Sequence, residues 1–93
     1  MQWTVEFAGR QSNSAWIKVN PSDGVTYDAV LTCGPGVSRT SFGNSSREEL
    51  RPFDKPIEGI FRWDPSVTAS PYAAITWRND EGSDTESRTV LLG

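Results

Sequence analysis

No histidine occurs among the 93 residues, and cysteine occurs once. The first absence closes Ser-His-Asp and Cys-His catalysis, histidine-ligated zinc and imidazole pH switching, which all need a ring nitrogen titrating near neutrality. The second leaves Cys33 without an internal disulfide partner and rules out a four-thiolate zinc site. Long apolar runs are missing too, so no segment approaches the ~20 residues of a membrane-crossing helix. The N-terminal stretch MQWTVEFAGR alternates polar and apolar residues and reads as a strand, not a signal peptide. Nor is there a basic excess: nine cations, seven of them arginine, stand against twelve carboxylates for a net charge of −3. They are scattered from Arg10 to Arg88 without a polybasic stretch, which speaks against nucleic acid and against a membrane surface as partners.

What is present fits one small domain spanning residues 1–93. Hydrophobic residues make up 35% of the chain and aromatic residues 11%, and each aromatic side chain can bury on the order of 150–250 Å². Strand signals recur along the whole chain. In Gln2–Ala8, Trp3, Val5 and Phe7 share one face and Gln2, Thr4 and Glu6 the other, until the polar run Gly9–Ser14 is expected to break the strand. Ala15–Val19 follows, and Asn20-Pro21-Ser22-Asp23-Gly24 makes a turn. Val25–Cys33 places Val25, Tyr27, Ala29, Leu31 and Cys33 on one face, a pattern that predicts a buried, inert thiol. Gly34-Pro35-Gly36 ends that strand and leads into a weaker one, Val37–Phe42.

Gly43–Pro56 is the irregular stretch. Ser46 with Glu49 three residues later makes a capping box, which predicts one short helical turn near 46–50 before Pro52 halts it. Such a turn has to lean on the core through Leu50 or Phe53. Ile57–Trp63, Tyr72–Arg78 and Thr85–Leu92 complete about seven strands, the last two joined by the polar turn Asn79–Asp84.

The run Tyr72-Ala-Ala-Ile75-Thr-Trp77-Arg-Asn79-Asp-Glu-Gly82-Ser83, continuing to Val90, resembles the last hairpin of fibronectin type III and related immunoglobulin-like domains. In that family a tyrosine opens the penultimate strand and an Asn-x-x-Gly turn begins the last. Tyr27, following the Pro-x-Asp-Gly turn at Pro21–Gly24, is similar to the family's third strand. The resemblance implies an all-β, immunoglobulin-like antiparallel β-sandwich of about seven strands.

Candidate functional residues are few. Trp3, Trp63 and Trp77 share faces with core residues, whereas Trp16 shares its face with Lys18 and is the tryptophan expected at the surface. An exposed indole invites a carbohydrate ligand. Asn79, Asp80, Glu81 and Asp84 offer oxygens, but calcium takes about six to eight and no EF-hand spacing is present, so a solvated hairpin tip is the simpler reading. Together with Asp23, these residues form the loop surface expected to meet a protein partner. Glu48, Glu49, Asp54 and Glu58 lack the arrangement of a catalytic carboxylate pair. Asn44-Ser45-Ser46 matches a glycosylation sequon. The expected function is a non-catalytic binding or structural module without metal or cofactor, contacting a protein partner through loops or a sheet edge, the first strand and Val37–Phe42 being the expected edges. A carbohydrate-binding module using exposed tryptophans is the alternative, and a small protein inhibitor with Gly43–Pro56 as its inserting loop is a further one.

Overall fold

Alternation in the sequence becomes alternation in burial. A computed structural model describes residues 2–40, 43–80 and 82–93. Among these, eight strands and no helix are found: β1 (Trp3–Gln11), β2 (Ser14–Pro21), β3 (Thr26–Cys33), β4 (Val37–Thr40), β5 (Ser46–Leu50), β6 (Ile57–Trp63), β7 (Tyr72–Arg78) and β8 (Glu86–Leu91). Along β2, Ala15, Ile17, Val19 and Pro21 are buried while Trp16, Lys18 and Asn20 are half-buried. β7 alternates the same way, with Ala73, Ile75 and Trp77 inward. This is the period of a strand with one face on a core.

All pairings are antiparallel and give two four-stranded sheets, ordered β1-β2-β6-β4 and β5-β3-β7-β8. Their apolar faces share one core: Ile17, Val19, Ile57 and Phe61 from the first sheet meet Leu31, Leu50, Ile75 and Val90 from the second. Trp3 and Trp77 meet edge to face with ring centroids 5.3 Å apart and planes at 61°. An aromatic pair in this geometry contributes about 0.5–1.5 kcal/mol beyond the area it buries. Only β1–β2 and β7–β8 are hairpins. Between them the chain changes sheet at every connection, from β3 to β4 beside β6, to β5 beside β3, to β6 and then to β7.

The structure corrects the sequence reading at three places. Ser46–Leu50 is a strand, not a helical turn: Thr26 pairs with Leu50, Tyr27 with Glu49, Ala29 with Arg47 and Val30 with Ser46. Five residues cannot recover the cost of helix nucleation, whereas as a strand they pair with β3 and place Leu50 in the core. Phe53 takes no part in that core and is fully exposed. The first strand does not stop at Ala8; a bulge between Phe7 and Gly9 carries it to Gln11. The parity of β3 also differs. Asp28 sits at φ 50°, and the register shifts between Tyr27 and Val30. The extra residue of a β-bulge reverses which side chains face inward, so Thr26 is buried and Tyr27 half-buried; Cys33 keeps the parity of buried Ala29 and Leu31 but, as the last residue of the strand, is exposed rather than buried. The expected strand Val37–Phe42 is found over Val37–Thr40; Ser41 and Phe42 lie outside the described residues.

The sheet edges are β1, β4, β5 and β8, and each carries a feature that discourages pairing with another chain. β1 has its bulge, with the Arg10 guanidinium 4.1 Å above the Phe7 ring. On β4, Arg39 Nη2 donates to the carbonyl of Glu58 at 3.4 Å. β5 carries Arg47, Glu48 and Glu49 in succession. On β8, Arg88 Nη1 crosses to the other sheet and donates to the carbonyl of Trp3 at 3.2 Å.

Candidate functional site

The strand registers gather three connections at one end of the molecule. Trp3 pairs with Pro21, Val19 with Ile57, Thr26 with Leu50, and Tyr27 with Arg78. The β2–β3 turn, the β5–β6 loop and the β7–β8 turn therefore leave from the same side. This brings Asp23 to the same end as Asn79, Asp80 and Asp84; Glu81 lies outside the described residues. Trp16 belongs elsewhere, on the outer face of the first sheet.

The two turns containing the expected loop residues are bonded to themselves. Ser22 N donates to the carbonyl of Gln2 at 2.8 Å, and Gly24 supplies the positive φ of 69° that lets the chain turn into β3. Asp23 is exposed. At the other turn, Trp77 Nε1 donates to Asn79 Oδ1 at 3.1 Å, so the amide oxygen that looked like a ligand atom holds a core indole. Ser83 N and Oγ both donate to the carbonyl of Asp80, at 3.1 and 2.9 Å. Among the described residues no group of three acidic, histidine or cysteine side chains is placed to hold a metal ion.

The third loop, residues 51–56, presents an apolar group on a hydrogen-bonded turn. The amide of Asp54 donates to the carbonyl of Arg51 at 3.2 Å, closing a four-residue reverse turn with Pro52 in its second position, where a fixed φ is favoured. Asp54 Oδ2 accepts from Arg51 N at 2.8 Å. Asn20 on β2 braces the turn from beneath, its Nδ2 donating to the carbonyls of Arg51 at 3.2 Å and Asp54 at 3.0 Å. At the tip stands Phe53, 101% exposed. Arg51 and Lys55 flank it, Arg51 lying 3.2 Å from Glu49 in a largely solvated ion pair. Sequence reasoning named Leu50 or Phe53 as the core contact of this stretch, and Leu50 fills that place; the signal for Phe53 was Pro52 at the second position of a turn that ends on Asp54.

Beside this loop, the β3 bulge opens a depression of about 320 Å³ lined by Tyr27, Asp28, Glu48, Glu49, Arg78 and Gly82. Asp28 makes an ion pair with Arg78.

Trp16 is held rather than free. Its Nε1 donates to Glu58 Oε1 at 3.1 Å, and Lys18 Nζ lies 5.0 Å from the ring centroid. The ring covers Gly9 across the strand pair, with Trp16 Cε3 3.9 Å from where a side chain at Gly9 would begin. The four carboxylates once considered together serve separate tasks: Glu58 holds Trp16, Asp54 closes the Phe53 turn, Glu49 meets Arg51, and Glu48 lines the depression. Burial raises the Cys33 thiol pKa, opposed by the nearby Arg39 guanidinium. The hydroxyl and amide of Ser66 bond Asp64 and lower its carboxyl pKa.

No family model, curated protein or solved structure matches the chain.

Proposed function

We propose that this chain is a non-catalytic protein-binding module that engages its partner through the β5–β6 loop, with Phe53 as the anchor. A single exposed apolar side chain is ordinary on a protein surface. The observation that carries the reading is that this one sits on a turn fixed by four hydrogen bonds and two prolines, so the ordering that binding normally costs is already spent in folding. Rigid aromatic anchors dominate binding energy in protein interfaces. The blunted sheet edges favour loops over strand addition as the mode of contact.

The fold we assign to the module is the immunoglobulin-like sandwich. β1, β2 and β6 in one sheet with β3, β7 and β8 in the other follow the arrangement of such domains. One exchange distinguishes it: β4 takes the place beside β6 that a later strand normally fills, and β5 then takes the place beside β3.

The other readings find less support. A sugar platform wants exposed coplanar rings, yet Trp3, Trp63 and Trp77 are buried and Trp16 is tied to Glu58. An inhibitor loop presents an extended strand to a protease, whereas Arg51–Asp54 is a reverse turn. The test is capture from an extract of the source organism on immobilised wild type and on Phe53→Ser. Proteins retained by the wild type and lost by the variant, at equal melting temperature, support the anchor; identical retention by both refutes it.

A further inference from the structure

We propose that the occupant of the Phe53 site is a second copy of this chain, whose acidic depression at the β3 bulge receives the ring. The inference rests on the reading of Phe53 as a protein-binding anchor and names its partner. Charge complementarity carries it. The knob presents Arg51 and Lys55 beside Phe53, and its own carboxylate, on Asp54, is turned inward onto the Arg51 amide. The depression presents Asp28, Glu48 and Glu49 against one cation, Arg78, with the phenol of half-buried Tyr27 as its aromatic wall. Its volume of about 320 Å³ admits a phenyl ring. The Glu49–Arg51 pair within one copy is exposed on both sides and holds Arg51 only weakly.

Placement makes the contact reciprocal. Glu49 ends the acidic row on β5 and Arg51 begins the knob two residues later, so knob and depression lie side by side. A two-fold axis then seats each Phe53 in the other copy, an isologous contact that closes as a dimer and does not propagate. The competing route to a dimer, pairing of two sheet edges, meets a bulge on β1, arginines bonded across to backbone carbonyls on β4 and β8, and a run of charges on β5. Contacts anchored on one ring per side are weak, with dissociation constants on the order of millimolar.

Sedimentation equilibrium of the whole chain, from about 10 µM to about 2 mM, tests the proposal. The mass of the wild type is expected to rise from 10.3 kDa towards twice that value, and the rise to shrink at high salt. Phe53→Ser and Glu48→Lys are each expected to remain monomeric at unchanged melting temperature. Combining Glu48→Lys with Lys55→Glu restores part of the association, because it exchanges charge across the contact. A wild type that stays at 10.3 kDa throughout, or association that survives Phe53→Ser, overturns the proposal. If the wild type is monomeric while Phe53→Ser still loses a protein captured from extract, the second copy is refuted as occupant and the anchor stands. If Phe53→Ser changes neither measurement, both fall.

Discussion

Replacing Asn20 by alanine removes the brace beneath the Phe53 turn without touching the core. The side-chain amide makes two hydrogen bonds, at 3.2 and 3.0 Å, to carbonyls of Arg51 and Asp54. A hydrogen bond of this kind has a net worth of about 0.5–1.5 kcal/mol. Water can reach the more exposed carbonyl once the amide is gone, so the pair together is set at about 1–2 kcal/mol. For a domain of this size each kilocalorie shifts the melting temperature by about 4–8 °C, which places the variant roughly 4–16 °C below the wild type. Because Asp54 Oδ2 closes the same turn onto Arg51 N, Asn20→Ala and Asp54→Ala act on one unit, and their effects should fall short of additivity by at least about 0.5 kcal/mol. Urea unfolding of both single variants and the double variant measures this, and hydrogen exchange at the Phe53 and Asp54 amides locates it. A loss below about 0.3 kcal/mol with additive effects shows that the turn does not depend on these bonds. The argument that Phe53 is held in advance of binding then fails.

Leu50→Ala should cost about 2–5 kcal/mol, since Leu50 is fully buried; urea denaturation reads this, and a surface-like effect contradicts β5 as a core-bearing strand. The Cys33 thiol is raised by burial, so its reaction with a disulfide reagent should follow a pH profile displaced above that of free cysteine, as the thiolate is the reactive form. A folded pKa above the unfolded one contributes stability below the unfolded value that is lost as pH rises through the folded value; Cys33→Ser should therefore flatten the alkaline side of the stability curve. Asp64 shows the opposite sign. Its carboxyl is lowered by Ser66, so its contribution is present above the unfolded pKa and disappears as pH falls through the folded one, and Ser66→Ala should return the NMR-titrated pKa towards the ordinary carboxylate value.

Where a strand is regular, its residues announce its two faces. Ala15, Ile17 and Val19 against Trp16 and Lys18, and Ala73, Ile75 and Trp77 against Ala74 and Thr76, all lie on the sides that alternation assigns. The reading fails where parity changes. Nothing in Thr26-Tyr27-Asp28 marks the bulge except that aspartate tolerates positive φ better than most residues, and one inserted residue sends Tyr27 outward and Thr26 inward. β5 fails for a different reason. Ser46 and Glu49 satisfy a local helix signal, but the decisive contacts come from Thr26 and Ala29, some twenty residues away, and tertiary pairing outweighs a single turn of helix propensity. The candidate loops at Asp23 and Asn79–Asp84 were legible because turn chemistry is local. Phe53 was not, since hydrophobicity alone cannot say whether a ring is covered.

The repeated change of sheet between β3 and β7 has consequences while the chain is being made. β2 presents Ala15, Ile17 and Val19 to the core, but its second neighbour, β6, pairs through Ile57 to Arg62, about forty residues downstream. At about 5–20 residues per second of synthesis, the β1–β2 hairpin waits on the order of 2–8 s with its apolar side uncovered. With so many neighbours remote in the chain, folding belongs to the slower, milliseconds-to-seconds regime of all-β domains. The bulge and charges along the rims therefore guard the nascent polypeptide before they have a finished molecule to protect.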